Sequence, residues 1–293
     1  MLRKSSFVVV FILMVGMIVA CSSNDNGESS AEQPEDEPAD NQESGESESP
    51  DEEAANEEAD EEGNEEKEAE DQEPVYYIDE ETASIRPINE DDDENVILLT
   101  IDDAPDKYAL EMAETLQEKD AKAIFFVNGH FIEDEEGQEK LKAIHEMGFP
   151  IGNHTYSHPV IPDIPEDEQT EEIVNLNDKI EEIIGERPKF FRAPHGANSD
   201  HSREVVKEEG MVLMNWTYGF DYFEPYQDAD KLKEALISGE APEIGEEQSL
   251  LHSGANILMH DREWTNEALG DVIDGLREQG YKIADPNLIE TIE

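Results

Sequence analysis

From residue 75 onward, short apolar runs alternate with amphipathic stretches of helical length, and this alternation restricts the fold more than any other feature of the chain. Residues 96–101 (VILLTI) are almost continuously apolar, as in a strand buried on both faces. Residues 106–118 follow, with Leu110, Ala113 and Leu116 at helical spacing. The same rhythm predicts strands at 123–127, 150–153, 189–192, 211–216, 256–259 and 281–284. Helices are predicted at 138–147, 166–184, 199–209, 228–238 and 265–279. Seven strands separated by helices imply a parallel α/β architecture, either barrel-like or open. About 200 residues fit one such domain better than two.

In folds of this kind, reactive side chains collect where strands end, and the polar residues of this chain cluster there. The first strand runs into Thr100-Ile101-Asp102-Asp103-Ala104-Pro105. Two adjacent carboxylates at a buried strand end are costly unless a cation or proton neutralises one. A metal on one and proton acceptance by the other would resolve the cost. The competing reading is a helix start, with Asp103 as N-cap and Pro105 in the first turn. The third strand runs into His154 and His158, which face the same way if the segment takes one helical turn. They would otherwise be two surface histidines near the Pro159 turn. Together with Asp103 they give one carboxylate and two imidazoles, a set that leaves positions open for water and substrate, as in hydrolytic sites. Arg192 follows the fourth strand and is suited to pairing with a buried aspartate. His260 follows the sixth and is a candidate proton donor. His130, His145, His201 and His252 have no matched partners and are read as non-ligands. Trp216 is read as core, and Trp264 as a candidate sugar-stacking surface.

Charge narrows the partners. The chain carries a net −57, of which residues 22–74 supply −23 from 24 acids and one lysine, with no aromatic residue. That stretch cannot bury enough surface to fold and reads as an extended, self-repelling tether. Residues 75–293 keep 53 acids against 17 bases, so phosphate-mediated binding of nucleic acid is excluded. The acidity suits a neutral or cationic partner, or a surface adapted to high salt. Residues 1–20 read as a signal segment: Arg3 and Lys4, an apolar run over 7–19, then Cys21, the single cysteine. This end resembles a bacterial lipobox, which implies a lipidated Cys21 heading the 21–74 tether.

The four strand-end stretches together resemble the polysaccharide deacetylase family, the NodB-homology carbohydrate esterases. Residues 100–105 look like its first motif, His154 to His158 its second, residues 192–196 its third and residues 258–261 its fifth. The fourth is weaker, with Asp221-Tyr222 where an aspartate–tryptophan pair is usual. The resemblance implies a distorted parallel (β/α) barrel of about seven strands and a single catalytic domain over 75–293. It also implies that Asp103, His154 and His158 bind a divalent metal, with Zn2+ expected and Co2+, Ni2+ or Mn2+ as alternatives. Asp102 would be the general base, oriented by Arg192, and His260 the acid, tuned by Asp221. The backbone N–H of His195 would help hold the oxyanion, while Tyr222 would line the acetyl pocket. Ala104 replaces the family glycine and would strain the loop if that position needs a positive φ.

The expected reaction is removal of N-acetyl groups from N-acetylglucosamine residues of a cell-wall polysaccharide, either peptidoglycan or chitin-type oligomers. An O-acetyl esterase acting on xylan-like glycans and a catalytically silent carbohydrate-binding lipoprotein are the alternatives. The expected setting is the extracytoplasmic face of a bacterial membrane, reached through the lipid anchor alone, with a monomer as the working state.

Overall fold

The computed structural model describes residues 73–292. The signal segment, Cys21 and all but the last two residues of the 21–74 tether lie outside the described residues. The described part opens with an antiparallel hairpin, β1 (Tyr76–Asp79) and β2 (Ser84–Pro87), which sequence patterning did not predict. The expected alternation follows: β3 (Val96–Ala104), α1 (Ala109–Glu118), β4 (Ile124–Val127), α2 (Glu135–Glu146) and β5 (Ile151–Asn153). It continues through α3 (Glu166–Ile184), β6 (Phe190–Phe191), α4 (Asp200–Glu208), β7 (Val212–Leu213) and α5 (Ala229–Ser238). β8 (Asn256–His260), α6 (Glu263–Glu278) and β9 (Lys282–Ile283) complete it.

All seven predicted strands join one parallel sheet in the order β7-β6-β5-β4-β3-β8, with β9 paired to the first residues of β3. The sheet curls into a distorted barrel. β7 pairs with β6, and a few residues later Tyr218 bridges in parallel to Ile257 of β8. Thr217 N–H donates to the Asn256 carbonyl and Leu258 N–H to the Tyr218 carbonyl, each at 2.9 Å. The connection after β7 therefore bridges the two edges.

The two-residue period of β3 separates two layers. Val96 and Leu98 point inward, with Ile124, Phe126, Phe190 and Met214. Ile97, Leu99 and Ile101 point outward, where Met112, Leu116, Leu269 and Ile273 of the helices cover them. Tyr76, Ile78 and Ile85 of the hairpin belong to the inner cluster, and Ile85 N–H donates to the Gly254 carbonyl just ahead of β8. The hairpin thus plugs the end of the barrel where the strands begin. The inward series of β3 continues as Thr100 and Asp102, which brings polar chemistry into the opposite end.

Two helix starts differ from expectation. α1 begins at Ala109 rather than 106, and Asp103 does not cap it. Asp261 does that work from the end of β8, its carboxylate accepting from Asp106 N–H at 2.7 Å and Tyr108 N–H at 2.6 Å. α2 begins three residues early, at Glu135, because Asp134 caps it by accepting from Gly137 N–H at 2.9 Å.

Candidate active site

Pairing register sets the spacing of the reactive groups. In the β3–β8 ladder Asp102 stands opposite His260, so both project from one level of the sheet. Asp102 is 2% exposed, in contact with a fully buried Arg192. Arg192 Nη1 donates to Asp102 Oδ1 at 2.7 Å and to Thr100 Oγ1 at 2.8 Å, and Nη2 donates to the Asn215 carbonyl at 2.9 Å. The guanidinium also lies over the Phe126 ring, 4.4 Å from its centroid. A buried charge of this kind is stable only with its partner in place. Trp216, read from sequence as core, is part-buried on the connection beyond β7, with its ring 5.8 Å from the same guanidinium.

Asp103, His154 and His158 come together, offering three ligand atoms that all lie within 4.8 Å of one another. Asp103 Oδ1 is 3.4 Å from His158 Nε2 and 3.8 Å from His154 Nε2. Ligands at ~2.1 Å around one tetrahedral ion stand ~3.4 Å apart, so the spacing fits. The histidines do not reach this arrangement through a helical turn, as expected from sequence. Thr155 and His158 both have positive φ (69° and 62°), and the loop folds back on itself. Asn128 Nδ2 ties the loop to β4 by donating to the His154 and Thr155 carbonyls. Glu172 of α3 accepts from Ser157 N–H and Oγ–H. Asp103 (φ 59°) and His195 (φ 58°) are also left-handed, so four of the six non-glycine residues with positive φ among those described are at this site. Strain of ~1–3 kcal/mol per residue is retained where surrounding structure imposes it. Ala104 is not among them: the left-handed residue is its neighbour Asp103, so alanine at that position carries no such strain.

The donor chemistry also fits a cation. His154 Nδ1 lies 2.7 Å from the Arg192 carbonyl, which can only accept, so Nδ1 carries the proton and Nε2 presents a lone pair. That lone pair faces Asp102 Oδ2 at 3.6 Å as well as Asp103 Oδ1. Burial pushes the pKa of both His154 and His158 down, which keeps the imidazoles neutral. Burial would raise Asp103, but His260, His154, His158 and Arg262 outweigh it and hold the carboxyl below its usual range. A cation between the neutral imidazoles and the facing carboxylate oxygens would satisfy both sets of lone pairs, and zinc-type ions take such ligands.

His260 is held differently. Its Nδ1 is 2.8 Å from Oδ1 of the fully buried Asp221, whose Oδ2 accepts from His260 N–H and Thr265 Oγ–H. Burial disfavours the imidazolium, but Asp221, with Asp102 and Asp103, overrides it and pushes the pKa up to about 9. Tyr222, 46% exposed, meets the His260 ring edge-on at 5.6 Å. Trp264 spends its indole N–H on the Asp221 carbonyl at 2.9 Å, so it supports the Asp221 loop. His195 is exposed in a tight turn whose hydrogen bonds are donated by Gly196 and Ala197. Its ring lies 5.2 Å from that of His158. Sequence reasoning missed Arg262, whose Nη2 donates to Asp103 Oδ2 at 2.7 Å, and the capping role of Asp261. Neither stands in a spacing that would have flagged it. The other four histidines are outside the metal-type cluster.

A parallel α/β barrel with a carboxylate–imidazole cluster and a separate His–Asp pair at its open end defines a hydrolase-like class of site. Residues 89–214 match the family model described as polysaccharide deacetylase. A Bacillus cereus peptidoglycan-N-acetylglucosamine deacetylase is 32% identical over 126 residues, 41% of this chain and 44% of its own. The Bacillus subtilis peptidoglycan-N-acetylmuramic acid deacetylase PdaA is 28% identical over 192 residues, 64% of this chain and 68% of its own. Among solved structures, a Bacillus anthracis protein described as a CE4 family pseudoenzyme is similar with a TM-score of 0.56 and 29% identity, covering 64% of this chain and 63% of that one. A mutant of that protein is described as having restored enzymatic activity. The chain spans about half the length of several curated relatives, including 51% of an uncharacterised Bacillus subtilis protein and 40% of the peptidoglycan-N-acetylmuramic acid deacetylase PdaC of the same organism.

Proposed function

We propose that the domain is a metal-dependent N-deacetylase acting on N-acetylglucosamine residues of peptidoglycan. The observation that carries this reading is the joint presence of a cation-type cluster, a buried carboxylate and a protonated histidine at one barrel mouth. Asp103, His154 and His158 would hold the ion, with Zn2+ the first candidate. When bound, such an ion polarises an acyl oxygen and lowers the pKa of water towards ~7.

The rest is done by the chain itself. Asp102 has Oδ1 tied to Arg192 and leaves Oδ2 on the site side, placed to take the proton of the attacking water. With its pKa at about 9, His260 carries a proton at neutral pH and can give it to the departing sugar amine. Amides need such a donor more than esters do, because an amine leaves poorly unless protonated. That need favours N-acetyl over O-acetyl substrates. Asp221 keeps His260 charged and aimed, and Tyr222 walls the space beside it. The His195 N–H is the proposed second contact for the oxyanion. The relatives named for peptidoglycan support the choice of polymer. We also propose a lipid anchor at Cys21 on the extracytoplasmic side, which rests on the apolar run ahead of that cysteine.

The test is acetate release from peptidoglycan and from N-acetylglucosamine oligomers, with and without chelator, followed by identification of the sugar that carries the free amine. Chelator-sensitive release with glucosamine as product supports the reading. Free amine on muramic acid alone would reassign the substrate. Retained metal with no release would mark a silent relative, as the pseudoenzyme neighbour is described. His154→Ala should lose metal and turnover together; normal metal content in that variant would show the ligand set to be wrong.

A further inference from the structure

Asp103 uses its two oxygens differently. Oδ1 is the atom close to both imidazoles, at 3.4 and 3.8 Å, whereas Oδ2 accepts from Arg262 Nη2 at 2.7 Å. Arg262 stands one residue beyond the Leu258–Asp261 stretch, at the N-cap of α6. Its guanidinium is held from both sides, because Nη1 also donates to the Asp261 carbonyl at 3.1 Å. The turn carrying it is fixed in turn. Asp261 N–H donates to the Asp102 carbonyl at 3.1 Å, and the Asp261 carboxylate caps the start of α1. A freely exposed ion pair would be worth little and would hold no fixed geometry; this one is 37% exposed on the arginine side and 15% on the aspartate side. A positive group beside a dication site also works against the ion on charge alone, so its placement is explained by geometry rather than by attraction.

We propose that Arg262 is a positioning residue that makes Asp103 a one-oxygen ligand, occupying Oδ2 so that only Oδ1 faces the two imidazoles. The inference rests on the metal-site reading above and extends it to a residue outside the ligand set. Hydrogen bonds to the far atoms of ligating groups fix ligand orientation and keep coordination positions open.

The experiment compares the full-length wild type with Arg262→Gln and Arg262→Lys, each checked for an unchanged melting temperature. Zn2+ affinity is measured by competition with a chromophoric chelator, and the visible absorption of the Co2+-loaded proteins is recorded. Arg262→Gln is expected to bind Zn2+ about 10–100-fold more weakly. Its Co2+ bands should lose intensity, because a released carboxylate can add Oδ2 and raise the coordination number. Arg262→Lys should recover most of the affinity, since its ammonium keeps most of the arginine's reach to Oδ2, whereas the Gln amide is two bonds shorter. Equal or tighter Zn2+ binding by Arg262→Gln would overturn the proposal and show that the arginine acts only as a repelling charge. Equal loss in the Gln and Lys variants would also overturn it. A wild type that binds no Zn2+ would instead overturn the underlying site reading.

Discussion

Asp221→Asn tests the acid most directly, because one buried carboxylate is responsible for the state of His260. The imidazole is pushed up to about 9 against burial, with Asp221 the leading favourable contribution. Removing that charge should return the pKa to ~6.5 or below, a change of ~2.5 units or about 3 kcal/mol between the two protonation states. At pH 8 a group of pKa 9 is about nine-tenths protonated, whereas one of pKa 6.5 is about 3% protonated. Turnover at pH 8 should therefore fall roughly 30-fold, and the alkaline limb of the pH–rate profile should move from near 9 to ~6.5 or lower. Stability carries the same signature. A histidine whose pKa is raised by folding stabilises fully below its unfolded pKa and loses that contribution as pH rises through the folded value. The wild type should thus lose about 3 kcal/mol in urea titrations between pH ~6.5 and ~9, and the variant should not. An alkaline limb that stays near 9 in Asp221→Asn would refute the assignment of His260 as the acid tuned by this carboxylate.

Asp102→Asn should lower turnover by ~10²–10⁴-fold while metal content stays normal; loss of metal with retained fold would remove Asp102 from the base role. Arg192→Met should lower unfolding free energy by about 3–5 kcal/mol, because it strands a buried carboxylate, and a loss under 1 kcal/mol in urea melts would contradict the pairing described. Ala104→Gly restores the residue usual in the family yet should destabilise by about 0.5–1 kcal/mol without raising activity, since the positive φ belongs to Asp103. A gain in activity would show that alanine does constrain the loop.

Most of the architecture was legible because buried parallel strands are written as continuous apolar runs. All seven appear where those runs are, and α3 has the predicted bounds, 166–184. The β1–β2 hairpin was not legible. Its strands are four residues each, and they are buried only because the end of a barrel is there to receive Tyr76, Ile78 and Ile85. At the site, the identities of Asp102, Asp103, His154, His158, Arg192 and His260 could be read from their positions after strands. The means of convergence could not. Spacing of i and i+4 suggested a helical turn for the two histidines, but left-handed backbone at Thr155 and His158 brings them together. Arg262 and Asp261 act across about 155 residues of sequence, on Asp103 and the start of α1, and no local pattern encodes such partners.

The ladder between β3 and β8 has a consequence for how such a protein can diversify. Asp102 and His260 face each other as a backbone register, so their separation is a property of main-chain hydrogen bonds rather than of side-chain choice. A one-residue insertion in either strand would turn one of the pair to the other face of the sheet and end the chemistry at a stroke. The segments that carry Tyr222 and His195 lie off the sheet's strands and are under no such constraint of register. On the proposed function, reaction and recognition are thus separately heritable: loops can be rewritten for a new glycan while the Asp102–His260 pair stays fixed in the frame.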